Sequence, residues 1–216
     1  MTSEPYEPSD ALLTWCRIRR QVDWSSAVRG EPAAPVQPYV DGLTAWYDGP
    51  VRRRGPERAG RLLAALDRAR CDAARGEPLG PDLLAAWQRL VLGVPEAPPL
   101  RDGDAFAKGG RERYGLTPHT WQDFAACLRQ SADPAVPLAA RAARAYLDVA
   151  FFHPFADGNA RLALLALAHV LDLEGVRLDE VGPLQTTRYA DDPEGALDLA
   201  VLVAVLIRAT RRRGIR

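Results

Sequence analysis

Two long stretches of this chain carry apolar residues at the three- and four-residue spacing of an α-helix, and one short polar loop separates them. The first stretch contains Ala142, Ala145, Tyr146, Val149 and Phe152, and the second contains Leu162, Leu165, Ala166 and Val170. Apolar side chains at this spacing share one face of a helix, and that face must be buried against another element. We therefore expect two helices joined by the loop.

The same spacing recurs along most of the chain, which predicts an all-α fold. Further helices are expected from Ser9 or Asp10 to about Val22, around residues 59–73, around residues 83–91 with Pro81 at the start, and from about Pro193 onward. Residues 31–50 hold several prolines and glycines and are predicted to be an irregular connection.

Length and composition agree with one domain. The chain has 216 residues, of which 47% are hydrophobic, and this is enough to bury a sizeable core. We expect a single domain over residues 1–216, with an N-terminal helix and irregular segment at about 1–50 and a helical core at about 56–210.

The loop ends in residues that favour anion binding. Gly158 permits a tight turn, and Gly158 or Asn159 can start the second helix. The backbone N–H groups of Gly158, Asn159 and Ala160 would then face outward without side-chain bulk, as in sites that bind phosphate. Arg161 in the first turn opposes the helix dipole unless it faces a bound anion.

Two other loop residues carry reactive side chains. His153 can accept a proton near neutral pH and is a candidate general base. Asp157 offers the hard oxygen ligand that a magnesium ion prefers when the ion also contacts substrate phosphates.

At these residues the sequence resembles the Fic family, whose signature is His-Pro-Phe-x-Asp/Glu-Gly-Asn-Gly-Arg-x-x-Arg. The resemblance covers His153, Pro154, Phe155, Asp157, Gly158, Asn159 and Arg161. It implies an all-helical Fic-type bundle and transfer of AMP from ATP to a hydroxyl group on another protein. It also implies that His153 is the general base, Asp157 the Mg²⁺ ligand, and the Gly158–Arg161 segment the phosphate-binding loop.

Two positions depart from that signature. Ala160 replaces the usual glycine, which adds a methyl group but keeps the backbone N–H, at little cost if its φ is negative. Leu164 replaces the second arginine, which in the family holds the terminal phosphate of the nucleotide. The loss of that cation leaves open how the donor is oriented and which donor is used.

A second resemblance lies upstream. Many Fic proteins are inhibited by a helix that carries Ser or Thr, three variable residues, Glu, and Gly or Asn, and the Glu pairs with the second arginine of the signature. Residues 25–30 have this spacing, but Arg29 replaces the Glu. The resemblance leads to the hypothesis that Arg29 supplies the cation missing at Leu164; the alternative is a solvated surface residue.

The Phe106–Arg113 segment precedes the active-site helices, where Fic proteins hold a β-hairpin flap that docks the target by strand pairing. Its glycines permit a tight turn, so a short hairpin flap is predicted here, with a disordered surface loop as the alternative. Tyr189 lies where family members often place residues around the nucleotide base, so it is a candidate base-stacking residue, with simple packing as the alternative.

Charge and cysteine usage limit the other possibilities. The formal net charge is zero, so there is no electrostatic case for nonspecific nucleic-acid binding. Cys16, Cys71 and Cys127 are scattered, which predicts buried thiols in a reducing cytoplasm and neither a zinc site nor a disulfide framework. The N-terminus does not resemble a secretion signal, and the longest apolar run, residues 199–207, is too short to span a membrane.

The sequence thus predicts a Mg²⁺-dependent transferase that moves AMP or another nucleoside monophosphate from ATP or a related nucleotide to a hydroxyl group of a protein or small molecule. Two alternatives remain: the same fold transferring phosphate or phosphocholine from a different donor pose, and a non-catalytic nucleotide-binding protein.

Overall fold

The structure is a computed structural model that describes residues 10–26 and 35–214. Helices make up most of it, as the sequence predicted. The elements are α1 (Ala11–Gln21), α2 (Gly42–Trp46), a π-helical turn (Tyr47–Val51), α3 (Arg52–Arg54), α4 (Pro56–Ala74), α5 (Pro81–Leu92), β1 (Ala105–Ala107), β2 (Glu112–Tyr114), α6 (Thr120–Arg129), α7 (Leu138–Phe152), α8 (Asn159–Leu173) and α9 (Pro193–Gly214).

The two helices that flank the polar loop form the centre of the molecule. α7 packs against α8 and α9, and α8 also packs against α4. Most residues of α7 and α8 are buried, and the inner residues of α7 include a series of alanines. Small side chains allow the neighbouring helices to approach closely while apolar surface is removed from water. The loop is therefore fixed at both ends by the best-packed helices.

The predicted hairpin flap is present before the active-site helices. β1 and β2 pair antiparallel, with Ala105 opposite Tyr114 and Ala107 opposite Glu112. Gly109 and Gly110 turn the chain with φ values of 69° and 84°, which glycine adopts without steric cost. The flap is therefore an ordered two-stranded sheet, and the alternative of a disordered surface loop is wrong.

The prediction of an irregular connection over residues 31–50 is wrong for its second half. Asp41 caps α2, because its carboxylate accepts a hydrogen bond of 2.8 Å from the Thr44 backbone N–H. Gly42 is needed for close packing, since a Cβ atom there would lie 2.6 Å from the backbone carbon of Asp179. The glycine that indicated a break therefore lies in a helix, and it is needed because that helix packs closely against another segment. Local sequence does not reveal this contact.

A buried ion pair joins α1 to the middle of α7. Arg19 Nε donates to Asp148 at 2.7 Å, and the two side chains are only 8% and 1% exposed. Trp15 Nε1 donates to the same carboxylate at 3.0 Å. The Asp148 carboxylate thus satisfies two buried donor groups at once, which fixes α1 on the helix that ends at His153.

Cys16 and Cys127 are partly buried, but Cys71 is exposed, so the prediction of three buried thiols is wrong for Cys71, which lies on the outer face of α4. Within residues 10–26 and 35–214, no helix is both long enough and apolar enough to cross a membrane.

Candidate active site

The polar loop is shaped by two residues in the left-handed backbone conformation. His153 ends α7 with φ 49° and ψ 56°, and Gly158 precedes α8 with φ 82°. Glycine adopts this conformation freely, but a histidine rarely does. Strain of this kind persists only where the surroundings hold the backbone in place, and it is concentrated at functional sites.

The His153 ring is held on two sides. It stacks on the Tyr114 ring of β2, with centroids 4.6 Å apart and an interplanar angle of 11°. Its Nδ1 lies 3.4 Å from the carbonyl oxygen of Ala150, so a proton on Nδ1 would donate to that oxygen. This tautomer leaves the lone pair on Nε2 free to accept a proton, as a general base requires.

Burial lowers the pKa of the His153 imidazole below its ordinary value of about 6.5, and the nearby Arg101 acts in the same direction. The imidazole is therefore neutral at pH 7. Proton titration followed by NMR should give a midpoint below about 6.5 for this ring, and a His153→Asn variant would assign its signal among the three histidines.

The same shift has a defined effect on stability. The unfolded chain binds the His153 proton more readily than the folded chain, so this residue should reduce folding stability as the pH falls from about 6.5 towards the lower folded pKa. In the NMR titration, a His153 midpoint above about 6.5 would show that burial does not control the pKa of this ring.

Arg101 holds the turn around His153 from outside the loop. Its Nε donates to the carbonyl oxygen of His153 at 2.8 Å, and its Nη2 donates to that of Phe152 at 3.2 Å. Its own backbone N–H donates to the carbonyl oxygen of Pro154 at 2.9 Å. These bonds satisfy carbonyls at the C-terminus of α7, where a cation is also favoured by the helix dipole.

Gln88 of α5 supports the other end of the loop. It is fully buried, and its Nε2 donates to the carbonyl oxygen of Asp157. Asn159 closes the loop from inside, because its side chain accepts from Phe155 N at 3.0 Å and donates to Phe155 O at 2.7 Å. The Asn159 side chain is thus occupied within the loop, and only its backbone N–H is left to face a phosphate.

Gly158 should not tolerate a side chain. A Cβ atom there would lie 2.6 Å from Gln88 Nε2, in addition to the positive φ. We expect Gly158→Ala to cost roughly 1–2 kcal/mol through the backbone alone, and more through the displacement of Gln88. Thermal unfolding measures the loss.

Gly76→Ala is the matched control, since Gly76 has φ 71° and nothing within 4 Å of its Cβ position. A Gly158→Ala variant that loses no more stability than this control would contradict the close packing of Gln88 against the loop.

The first turn of α8 leaves two of the three predicted backbone donors without a partner in the helix, while the Gly158 N–H donates to Asp157. The carbonyl oxygen of Gly158 accepts from the backbone N–H of Arg161 and Leu162, both at 3.0 Å. The N–H groups of Asn159 and Ala160 come earlier, so the helix offers them no carbonyl. In the described ranges, Lys108 and His153 are the non-glycine residues with positive φ, so the backbone of Ala160 is unstrained.

Asp157 lies beside this turn with its carboxylate 76% exposed. One oxygen accepts from Gly158 N at 2.6 Å, and the other accepts from Arg161 Nη2 at 3.0 Å. The described residues bring no group of three or more His, Cys, Asp or Glu side chains together. A single exposed carboxylate suits Mg²⁺, which keeps several waters and takes its other ligands from substrate phosphates.

The loop opens onto a cleft of about 440 Å³. The cations among its lining residues are Arg54, Arg58, Lys108, Arg161 and Arg188, and none of the described lining residues is a carboxylate. His153, Ala160 and Leu164 line the same cleft, together with Trp46 and Tyr146. Lys108 pairs with Glu112 and Arg161 with Asp157, so part of this charge is compensated from outside the lining. The site thus combines a neutral base, aromatic surface and an excess of positive charge on its walls, which favours an anionic ligand that also carries a ring.

The structure does not place every predicted site residue in this cleft. Tyr189 is 52% exposed and lines a smaller neighbouring cavity, where Lys108 Nζ lies 4.0 Å from its ring centroid. Arg29 lies outside the described residues, so its predicted role has no structural counterpart here.

Sequence reasoning missed several residues of the site. Arg54 and Arg58 line the cleft, Tyr114 stacks on His153, and Gln88 and Arg101 hold the loop backbone. None belongs to the motif, and each acts across a long sequence separation. Only Tyr114 gave a local signal, because it directly follows the segment predicted to form the flap.

The candidate site lies within a region that matches a known family. Residues 79–171 match the model of the Fic/DOC family, and this range contains the whole His153–Arg161 loop. No curated protein matches the chain in sequence.

Among solved structures, the chain resembles IbpAFic2 covalently tethered to Cdc42, with 12% identity, a TM-score of 0.57, and coverage of 90% of this chain and 70% of that one. It also resembles a Fic domain containing signalling protein from Bacteroides thetaiotaomicron VPI-5482, with 14% identity, a TM-score of 0.52 and coverage of 94% of both chains. A third is Fic-1 from C. elegans, with 15% identity, a TM-score of 0.50, and coverage of 94% and 69%.

Identities this low support the fold alone, and the family match supplies the relationship in sequence. Together they identify residues 79–171, with the loop that carries His153, as a region of the Fic/DOC family within a Fic-type helical fold.

Proposed function

We propose that this protein transfers AMP or another nucleoside monophosphate from a nucleoside triphosphate to a hydroxyl group of an acceptor. Fic family members typically transfer AMP or other phosphate-containing groups. The observation that carries the proposal is the position of His153: a half-buried, neutral imidazole at the edge of a cleft whose described lining holds five cations and no carboxylate.

The chemistry begins with the acceptor hydroxyl. Nε2 of His153 takes the proton of that hydroxyl as the hydroxyl oxygen attacks the α-phosphorus of the donor. A bond forms between that oxygen and the phosphorus, and the bond from the phosphorus to the bridging oxygen breaks. Pyrophosphate leaves with the electron pair, and the acceptor keeps the nucleoside monophosphate.

The first turn of α8 stabilises the charge that develops on the phosphoryl oxygens. The N–H groups of Asn159 and Ala160 donate to them, and Arg161 turns from Asp157 towards the phosphates. Asp157 would hold Mg²⁺, which neutralises phosphate charge when bound. Arg101 and Tyr114 keep the His153 ring in place during the proton transfer.

We propose a protein acceptor that docks on the flap. β2 also bridges to Asp10 through Arg113, so β1 forms the opposite edge of the sheet, and Phe106 on it is 59% exposed. An extended segment can add to such an edge by backbone hydrogen bonds. The similar protein IbpAFic2 has been solved covalently tethered to Cdc42, and a variant of it in complex with adenylylated Cdc42, which supports a protein acceptor.

Phosphotransfer is the second candidate, and Leu164 favours it. Leu164 lines the cleft one helical turn after Arg161, where the family signature has a phosphate-binding arginine. A donor that is not held at that point could bind in a reversed pose and present its terminal phosphate to the acceptor.

ATP labelled at either the α- or the γ-phosphate separates the two candidates. The protein is incubated with Mg²⁺, a cellular protein extract and each labelled ATP in turn. We expect protein-bound label from the α position and none from the γ position. Label from the γ position alone would replace nucleotidyl transfer by phosphotransfer.

A further inference from the structure

One wall of the cleft is formed by residues far from the motif in sequence. Arg54 ends α3 and Arg58 lies in the first turn of α4, and both line the cleft that also contains His153, Arg161 and Leu164. Gly55 between them leaves the helical conformation, with ψ 97°, and Pro56 starts α4. This break lets two arginines from consecutive helices face one cavity.

These two arginines have no charged partner among residues 10–26 and 35–214. The structure gives neither guanidinium a hydrogen bond or an ion pair, whereas the neighbouring Arg52 donates to Asp48 at 2.7 Å. The described lining of the cleft contains no carboxylate that could compensate them. Uncompensated positive charge in a concave site concentrates anionic ligands.

The position of Arg58 points to an anion for a second reason. It is the third residue of α4, and a cation in the first turn is unfavourable in the field of the helix unless an anion faces it. Arg161 is likewise the third residue of α8. Two helix N-termini, each with an arginine in the first turn, therefore contribute to one cleft.

Leu164 removes the cation that the family signature has one turn after Arg161. It is only 4% exposed and cannot bind a phosphate, so α8 offers Arg161 but no second cation one turn later. A nucleoside triphosphate carries charge beyond the phosphate that is transferred, and that charge needs donors from another element.

We infer that Arg54 and Arg58 bind the diphosphate part of the donor, the two phosphates that leave as pyrophosphate. The inference rests on the proposed function. Arg54 and Arg58, at the α3–α4 junction, thereby take the role of the arginine that Leu164 replaces in the family signature. The ligand class is a nucleoside di- or triphosphate, because a nucleoside monophosphate lacks the phosphates assigned to these arginines.

Calorimetric titration with ATP, ADP and AMP in the presence of Mg²⁺ tests the inference. Wild-type protein should bind ATP more tightly than AMP. An Arg54→Gln/Arg58→Gln double variant should lose roughly tenfold in ATP affinity for each arginine removed, with AMP affinity unchanged. Arg53→Gln is the matched control, because it removes the same charge from α3 at a residue that does not line the cleft.

The outcomes separate this inference from the proposed function. If the double variant keeps the wild-type ratio of ATP to AMP affinity, or if Arg53→Gln lowers that ratio equally, Arg54 and Arg58 do not bind the diphosphate and nucleotidyl transfer still stands. If wild-type protein binds none of the three nucleotides, the nucleotide donor itself is wrong and both ideas fall. Thermal unfolding of each variant confirms that affinity is compared between folded proteins.

Discussion

Replacing His153 with Asn should reduce the transfer rate by roughly 10²–10⁴-fold, because general base catalysis contributes about that factor. Asn tolerates the left-handed backbone of this position, where φ is 49°, better than Ala does, so the turn should keep its shape. The measurement is the initial rate of label transfer from α-labelled ATP to protein, with the melting temperature recorded for both proteins.

His119→Asn provides the matched control, since His119 is exposed and lies outside the cleft at the start of α6. It should transfer label at the wild-type rate. An unchanged rate in the His153 variant would mean that another group removes the proton.

The largest loss of stability is expected from Asp148→Asn. The substitution leaves Arg19 buried without its counter-charge, and breaking a buried ion pair in this way costs about 3–5 kcal/mol. Urea unfolding followed by circular dichroism measures the loss. The effect should reach the active site, because Asp148 lies in the helix that ends at His153.

Asp48→Asn is the control for burial. The Asp48–Arg52 pair has the same 2.7 Å separation as the Asp148–Arg19 pair, but its side chains are 61% and 43% exposed. Its loss should cost no more than about 0.5 kcal/mol. An Arg19→Met/Asp148→Leu double variant should be more stable than Asp148→Asn, because it buries no unpaired charge. Equal losses in the two single variants would contradict the role of burial.

Local sequence predicted the loop well, because its requirements are local. The turn needs Gly158, and the apolar spacing on either side of His153 requires a helix before and after it. The flap was predicted from the resemblance to the Fic family, and Gly109 and Gly110 supported that prediction because they permit a tight turn.

The residues that hold the loop could not be predicted from local sequence. Arg101 contacts the His153 carbonyl across 52 sequence positions, and Gln88 contacts that of Asp157 across 69. Gly42 indicated an irregular segment, but it lies in a helix whose packing leaves no room for a side chain at this position. Contacts of this kind depend on the tertiary arrangement, which overrides local signals.

The cations of the cleft could not be predicted from local sequence either. With 28 lysine and arginine residues in the chain, nothing in the sequence singles out Arg54 and Arg58. Their significance arises from the fold, which places them in the cavity that contains Leu164. The resemblance to the Fic family pointed instead to Arg29, and the role of Arg29 remains a prediction.

Intact-mass spectrometry of the wild-type and His153→Asn proteins, each incubated alone with Mg²⁺ and each common nucleoside triphosphate, tests the central claim most directly. We expect the wild-type protein to modify itself and gain the mass of one nucleoside monophosphate, and the variant to gain none. A gain equal to one phosphate would contradict nucleotidyl transfer. So would an unchanged mass with every donor, combined with no transfer of label to an extract.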